Sequence, residues 1–242
     1  MVCRGRTPER CPQKAPEGDG EAGGGEGQEA QGLNLTDRPV ILRPTDAFNE
    51  AKKAFYSGGV IAFPTETFYG LSVDPFNPKA IERLFSLKGR AETNPVSVII
   101  ADKGMLSRVA VDIPATANKL IDRFWPGPLT IVLNAHPDIP PPLIANTGKI
   151  GVRVPGSEIA RKLSEFLSSP ITATSANPSG KKPPVKANEV LAYFNGGIDV
   201  LIDGGSLPGR LGSTVVDLTV GKVRIIREGE IPSAEVEMAL HG

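Results

Sequence analysis

A chain of 242 residues, 40% hydrophobic and 22% charged, can bury a core without staples and leaves room for one large domain or two small ones. Its formal charge of +0 excludes a protein that coats nucleic acid by charge alone. The charge is uneven, however: residues 1–37 hold four Lys/Arg and seven Asp/Glu, so of 27 and 27 in all, residues 38–242 keep 23 against 20, a mild excess that leaves room for a local basic cleft.

Residues 1–34 are rich in Gly, Glu, Pro and Gln and nearly empty of large apolar side chains. Such a segment cannot bury enough surface to offset its chain entropy, so a disordered low-complexity tail is expected there, with the fold spanning 35–242. The tail has no apolar signal core and is too acidic for a typical transit peptide. It also holds both cysteines, Cys3 and Cys11, and the only histidines are His136 and His241. A disulfide framework, a His-based metal site and a Ser-His-Asp triad are therefore disfavoured.

Strand and helix patterns then alternate. "PVILRP" (39–44) reads as a strand and "TDAFNEAKKAFYSGG" (45–59) as a helix capped by Thr45 or Asp46 and stopped by Gly58-Gly59. "VIAFP" (60–64) is a short buried strand. "NPKAIERLFSLKG" (77–89) is a helix with Asn77 at the cap, Pro78 at the first helical position, and Ile81, Leu84 and Phe85 on one face. The strands "VSVIIA" (96–101), "PLTIVLNA" (128–135), "KIGVRVP" (149–155) and "PITATSA" (170–176) follow. Between them lie helices at 114–127 and 157–169, the latter with Ile159, Leu163, Phe166 and Leu167 inward. A helix over 186–196 precedes three strands, "VLIDGG" (200–205), "STVVDLTV" (213–220) and "KVRIIREG" (222–229), and a last helix at 233–240. The connections are too short to insert a second domain. One α/β domain with a large mixed sheet is predicted, the three closing strands pairing antiparallel. No apolar run approaches the roughly 20 residues of a membrane span, and a soluble, cytoplasmic protein is expected.

Four polar stretches interrupt this apolar scaffold at element ends: "PTETFYG" (64–70), "KGRAETNP" (88–95), "TSANPSG" (174–180) and "GSTVVD" (212–217). Rigid elements aim side chains best at such places. Alternation puts Thr65 and Thr67 on one side of an extended segment and Glu66 on the other, and sets Ser175 with Asn177. Paired hydroxyls can hold a polar ligand or simply satisfy the backbone. Glu66 reads equally as a surface carboxylate, and His136 as a loop residue.

Cations complete the pattern. Lys88 and Arg90 sit two apart at the end of a helix, where they would also stabilise its macrodipole. Arg153 lies within the apolar "IGVRVP" and Arg227 within "RIIREG". An Arg on a buried strand needs an anionic partner, either a protein carboxylate or a ligand. Together the four could form a concave site for phosphates and a carboxylate, which guanidinium forks match bidentately. Within the fold, 35–242, neither a Walker A loop nor G-x-G-x-x-G is present, so a bound nucleotide would be held by side chains. With no acid–base histidine, the chemistry that remains is positioning and charge stabilisation.

"PTETFYGL", "KGR" with "NP", "WPGPLT", "VRVP", "TSANPSG" and "STVVD" occur in the order seen in the YrdC/TsaC family, the L-threonylcarbamoyladenylate synthases, and the resemblance covers roughly residues 38–230. It implies a single twisted mixed sheet flanked by helices around a central basic cavity, in the short, single-domain form. It also implies condensation of L-threonine, bicarbonate and ATP to threonylcarbamoyl-AMP and pyrophosphate, a nucleotidyltransferase reaction serving tRNA modification through a downstream threonylcarbamoyl transferase complex. Mg2+ would enter with ATP, held by phosphates rather than by protein side chains. Some members are reported to bind double-stranded RNA, so a non-catalytic RNA- or tRNA-binding module using the same cleft is the alternative. By resemblance, Lys88, Arg90, Ser175 and Asn177 form the tetrad around the phosphates, joined by Asn94 and Arg227. Thr67, Arg153 and Ser213 hold threonine, with Thr65 and Tyr69 as further candidates.

Four positions depart from the family pattern. Ala91 stands where many members have Pro, Ile99 where many have His, "PPV" (183–185) where many have S-P-T, and Lys149 where a hydroxyl is common.

Overall fold

The computed structural model describes residues 40–89, 94–194 and 196–241. The expected tail, 1–34, lies outside them, as does Arg90. The fold begins with β1 (Val40–Leu42), α1 (Pro44–Tyr56) and a hairpin of β2 (Ile61–Pro64) and β3 (Tyr69–Ser72), followed by α2 (Pro78–Lys88) and β4 (Ser97–Ile99). Next come β5 (Ala110–Val111), α3 (Ala115–Phe124), β6 (Leu129–Ala135), β7 (Lys149–Arg153), α4 (Glu158–Phe166) and β8 (Ile171–Ser175). The chain closes with α5 (Ala187–Tyr193), β9 (Val200–Ile202), β10 (Thr214–Asp217), β11 (Arg224–Arg227) and α6 (Ser233–His241). Among the described residues no helix is long and apolar enough to cross a membrane.

Local chemistry explains the helix ends. Asn77 Oδ1 accepts from the amides of Lys79 (3.1 Å) and Ala80 (3.3 Å), and Gly89 closes α2 in the left-handed region at φ 56°. A side-chain cap of this kind contributes about 1 kcal/mol, and glycine carries that φ without the Cβ penalty. Ser157 caps α4 through Ala160 N at 3.3 Å. The Thr45 or Asp46 cap expected for α1 is not used. The helix starts at Pro44, whose fixed φ suits the first turn, and Arg43 stands at the cap without a side-chain bond.

The strands form an 11-stranded mixed sheet ordered β1-β9-β2-β3-β8-β4-β7-β6-β10-β11, with β5 paired to β6. Period-2 alternation divides it between two cores. Ile61 and Phe63 of β2, Ile99 of β4 and Val200 and Ile202 of β9 pack with α1 (Ala47, Ala51, Phe55) and α4 (Ala160, Leu163). Their neighbours Ala62, Val98 and Leu201 turn to the other cluster, with Leu84 of α2, Leu120 of α3, Val190 of α5 and Val236 of α6.

Three expectations change. The closing strands do not form one antiparallel run: β10 and β11 pair antiparallel, but β9 lies near the opposite edge, parallel to β1 and β2. A turn-rich connection does not reveal whether the chain reverses or crosses over. "PTETFYG" is the turn and start of a β2–β3 hairpin, with Ala62 opposite Leu71 and Pro64 opposite Tyr69. Phe166 is 39% exposed rather than inward, stacked on Phe48 with ring centroids 5.6 Å apart.

At the C-terminal end of the "GSTVVD" stretch, Asp217 closes β10 at 1% exposure and is not among the residues lining the cavity described below. Its carboxylate accepts from Lys149 Nζ (3.3 Å), Arg224 Nη2 (3.1 Å) and Thr219 Oγ1 (2.6 Å), tying together β7, β10 and β11. Burial raises its pKa, but the Thr219 and Lys149 contacts outweigh burial and hold the carboxyl below its ordinary range. Asp217→Asn should therefore cost roughly 1.5–3 kcal/mol at neutral pH, the range for hydrogen bonds to a charged group. The wild-type advantage should be complete above the unfolded Asp value of about 3.9 and vanish as pH falls through the lower folded value. Urea denaturation of both proteins across pH 2–7 measures this, and a gap that persists in acid would refute the ionic role.

Candidate active site

A cavity of about 520 Å³ opens along β4, with Pro95, Val96, Ser97, Val98 and Ile99 as its floor. In the sheet order β8 and β3 lie on one side of β4, and β7, β6, β10 and β11 on the other. The first side contributes Thr174, Ser175 and Gly70; the second contributes Thr130, Arg153, Ser213 and Arg227. Thr67, Pro183 and Leu211 line it from loops.

At the β8 end the cation is Lys88, the last residue of α2, at 3% exposure. Its ammonium donates to the carbonyl oxygen of Ser175 and to that of Asn177 at 2.7 Å, while Lys88 O accepts from Ser179 N at 2.9 Å. Helix end and S-x-N turn are thereby stapled together. Asn177 Nδ2 donates to Pro178 O (2.9 Å) and Lys181 O (2.7 Å), fixing the turn. Its buried Oδ1 has no hydrogen-bond partner among the described residues, an acceptor left to be explained.

At the β7 end Arg153 is 9% exposed. Its Nη1 donates to Glu66 Oε1 at 3.0 Å. That carboxylate also accepts from Gly156 N (3.3 Å) and Ser157 N (3.4 Å) at the start of α4, where the helix dipole favours an anion. Burial lowers the Arg153 pKa, Glu66 works against it, and the neighbouring cation Arg227 lowers it further. Arg227, exposed at the end of β11, donates from Nη2 to Ser213 O at 2.8 Å and to Ser213 Oγ at 3.3 Å. Ser213 Oγ in turn lies 2.9 Å from Thr130 Oγ1.

The structure thus gathers Ser175, Thr65, Thr67, Tyr69, Arg153, Ser213 and Arg227 around one cavity. Lys88 and Asn177 sit behind its wall, joined to it through Ser175; they and Asn94 are not among the lining residues. Two of the lining hydroxyls serve the protein itself. Thr65 Oγ1 donates to Phe68 O at 2.7 Å and accepts from Phe68 N at 3.2 Å, shaping the hairpin turn. The Tyr69 hydroxyl donates to Gly205 O (2.8 Å) and accepts from Gly204 N (3.0 Å); burial pushes it up to about 12, against the Gly204 bond and with help from Asp203. Sequence reasoning passed over Thr130, Thr174, Ser97 and Glu228. Thr130 had a signal, as the last residue of "WPGPLT". Among the described residues no cluster of three or more His, Cys, Asp or Glu could hold a metal ion.

A mixed α/β sheet surrounds a hollow walled by guanidinium groups and hydroxyls, donors whose geometry suits small anions. The chain belongs to the Sua5/YciO/YrdC family: the family Sua5_yciO_yrdC, described as Telomere recombination, matches residues 53–229. It is 42% identical to the threonylcarbamoyl-AMP synthase of Pyrococcus abyssi (strain GE5 / Orsay) over 183 residues, 76% of this chain and 54% of that protein. It is 36% identical to a putative threonylcarbamoyl-AMP synthase of Methanocaldococcus jannaschii over 181 residues, 75% of this chain and 84% of that one. The crystal structure of P. abyssi Sua5 complexed with L-threonine superposes with a TM-score of 0.78 at 39% identity, covering 84% of this chain and 60% of that chain. This chain therefore spans about half the length of the P. abyssi synthase, 54%.

Lys88→Met keeps the aliphatic stem but removes the ammonium from two carbonyls. It should lower stability by roughly 1–3 kcal/mol, the cost of orphaned buried acceptors, and speed amide exchange at Asn177 and Ser179. Denaturation combined with hydrogen exchange checks this; unchanged protection in the 175–181 turn would refute the staple.

Proposed function

We propose that this chain is an L-threonylcarbamoyladenylate synthase, a nucleotidyltransferase that makes threonylcarbamoyl-AMP and pyrophosphate from L-threonine, bicarbonate and ATP. The observation that carries the reading is the two-ended cavity: Arg153 among hydroxyls at one end, the Lys88-stapled Ser175–Asn177 turn at the other. The relatives named threonylcarbamoyl-AMP synthase, and the relative complexed with L-threonine, support it.

In this reading Arg153 takes the amino-acid carboxylate, and Thr67 and Ser213 hold the rest of threonine. The tetrad Lys88, Arg90, Ser175 and Asn177, with Asn94 and Arg227, is assigned to the nucleotide end, where Ser175 and Arg227 line the cavity and Lys88 and Asn177 back its wall. The threonine amine bonds to the bicarbonate carbon, the C–OH bond breaks, and the leaving hydroxide takes one amine proton to depart as water, giving a carbamate. A carbamate oxygen attacks the α-phosphorus of ATP; the bond to the bridging oxygen breaks, and pyrophosphate leaves with the electron pair. Two anions must meet, so the protein's task is to align them and to offset charge with fixed donors. Arg227, beside both Arg153 and Ser213, is placed to face charge developing between the two substrates.

Mg2+ would accompany ATP and neutralise triphosphate charge when bound. Glu228, a lining carboxylate, already accepts from Ser233, so the donor set fits an ion brought in on phosphates and water rather than one caged by the protein. The product is a reactive mixed anhydride, to be consumed by a tRNA threonylcarbamoyl transferase complex in the cytoplasm, with tRNA itself a further candidate partner.

Pyrophosphate release measured with threonine and bicarbonate omitted in turn tests the assignment. Release should require both. None at all would favour an RNA-binding module, and release indifferent to threonine would indicate a simple ATPase. Lys88→Ala and Arg90→Ala should each lower turnover by at least ~10², the scale of losing one charge-stabilising group. Arg153→Ala should chiefly raise the KM for threonine.

A further inference from the structure

We propose that Glu66 is a positioning residue for amino-acid binding: its carboxylate clamps one nitrogen of Arg153 to the start of α4 and so aims the remaining guanidinium donors into the cavity. This rests on the proposed function above, in which Arg153 takes the substrate carboxylate.

The geometry has three parts. Glu66 Oε1 receives Arg153 Nη1 at 3.0 Å and Gly156 N at 3.3 Å; Glu66 Oε2 receives Ser157 N at 3.4 Å. Ser157 Oγ donates to Pro64 O at 3.1 Å, closing a ring between the β2–β3 turn and the β7–α4 connection. Glu66 is therefore also held by backbone, Gly156 N sharing Oε1 with Arg153 and Ser157 N taking Oε2, and the ion pair has a fixed end. A guanidinium has five N–H donors in a rigid plane, so fixing Nη1 fixes the direction of the others. Long side chains otherwise lose much rotamer entropy on binding, which pre-ordering avoids.

Charge requires the clamp as well. Arg153 is buried beside a second cation, Arg227, and without an internal anion the pair would repel. Two effects oppose each other. Glu66 partly cancels the field that attracts a substrate carboxylate, and it fixes the group that receives that carboxylate. Bidentate recognition is geometrically demanding, so orientation outweighs the lost field. The hairpin flank explains why the device sits here: Thr65 and Thr67 face the cavity while the residue between them turns back towards β7 and α4.

The test uses Glu66→Gln, which keeps the side chain's length and one acceptor, and Glu66→Asp, which keeps the charge but shortens the reach. The first arm needs no substrate. In protein labelled with 15N-arginine, the Arg153 Nε–H signal, assigned by its loss in Arg153→Lys, should be sharp in wild type and broadened or shifted in Glu66→Gln. An unchanged signal overturns the clamp. The second arm is calorimetric titration with L-threonine. Glu66→Gln should bind it at least about tenfold more weakly, about 1.4 kcal/mol, with Glu66→Asp partly restored. In steady state the KM for threonine should rise while that for ATP stays put. Unchanged or tighter threonine binding in Glu66→Gln overturns the inference and leaves Glu66 as a competing anion only. An equal loss for both substrates, with a lower melting temperature, makes it merely structural and also overturns it. If wild type binds no threonine while the Arg153 signal responds as expected, the amino-acid reading of the cavity fails and the clamp itself stands.

Discussion

A cation taken out of water must find its counterpart inside the protein, and that requirement shapes this site. Leaving such a charge buried and unpaired costs several kcal/mol. Lys88 meets the requirement with carbonyl dipoles, those of Ser175 and Asn177. Arg153 meets it with a carboxylate, Glu66. Arg227 stays exposed and leans on the Ser213 carbonyl. Each solution ties a strand or helix end to a loop, so the elements that carry charge are also those that fix the cavity wall. Asp217 offers a contrast: it too is buried and paired, but by Lys149 of β7 and Arg224 of β11, and it is not among the residues lining the cavity. Buried charge alone does not make a site; buried charge at the edge of a cavity does.

The sheet order brings these groups together. Thr67, Ser175 and Arg153 are far apart in sequence, yet β3, β8, β4 and β7 are successive neighbours in the sheet. β4 is the pivot, antiparallel to β8 and parallel to β7. Ser97 faces Ala173 on one flank, and Ile99 faces Arg153 on the other. Two apolar cores hold this short strand from both faces, Val98 in one and Ile99 in the other. A mixed sheet is needed: neither an all-parallel nor an all-antiparallel arrangement would set the end of β8 and the end of β7 against opposite ends of the same strand.

Much of this was legible in the chain, because the signals concerned are local. Asn77-Pro78 and Gly89 marked the ends of α2 through capping chemistry that depends on a few adjacent residues. Arg153 on an apolar strand demanded an anion, and it has one. Which anion was not legible: Glu66 lies 87 positions away, and only the packing of the hairpin against α4 makes them neighbours. The same limit hid the position of β9, since its parallel pairing with β1 and β2 is non-local. It hid Phe166 too, because helical periodicity assigns a face but does not say how wide the covered stripe is. Thr130 was passed over for a different reason: "WPGPLT" marked its segment, but a single hydroxyl on a β-branched strand residue does not say which residue of the segment faces a cavity.

Length along the cavity floor supplies the last constraint. Pro95 to Ile99 is four steps of chain, at most about 13 Å if fully extended. That span separates the Ser175 corner from Arg153, long enough for a phosphate group and an amino acid in line and too short for two independent sites. Under the proposed function the two substrates must share this length, and their reacting atoms are forced towards its middle. Ile99, at the Arg153 end of the floor, has its side chain in the apolar core, so polar contact near that end falls to Arg153, Thr67 and the Ser213–Thr130 pair. Arg153, buried at one end of this floor, is shielded from solvent more than the exposed Arg227, so its electrostatic interactions are the stronger of the two. The cavity's chemistry is thus set by where its charges are anchored and by the hydroxyls ranged between them.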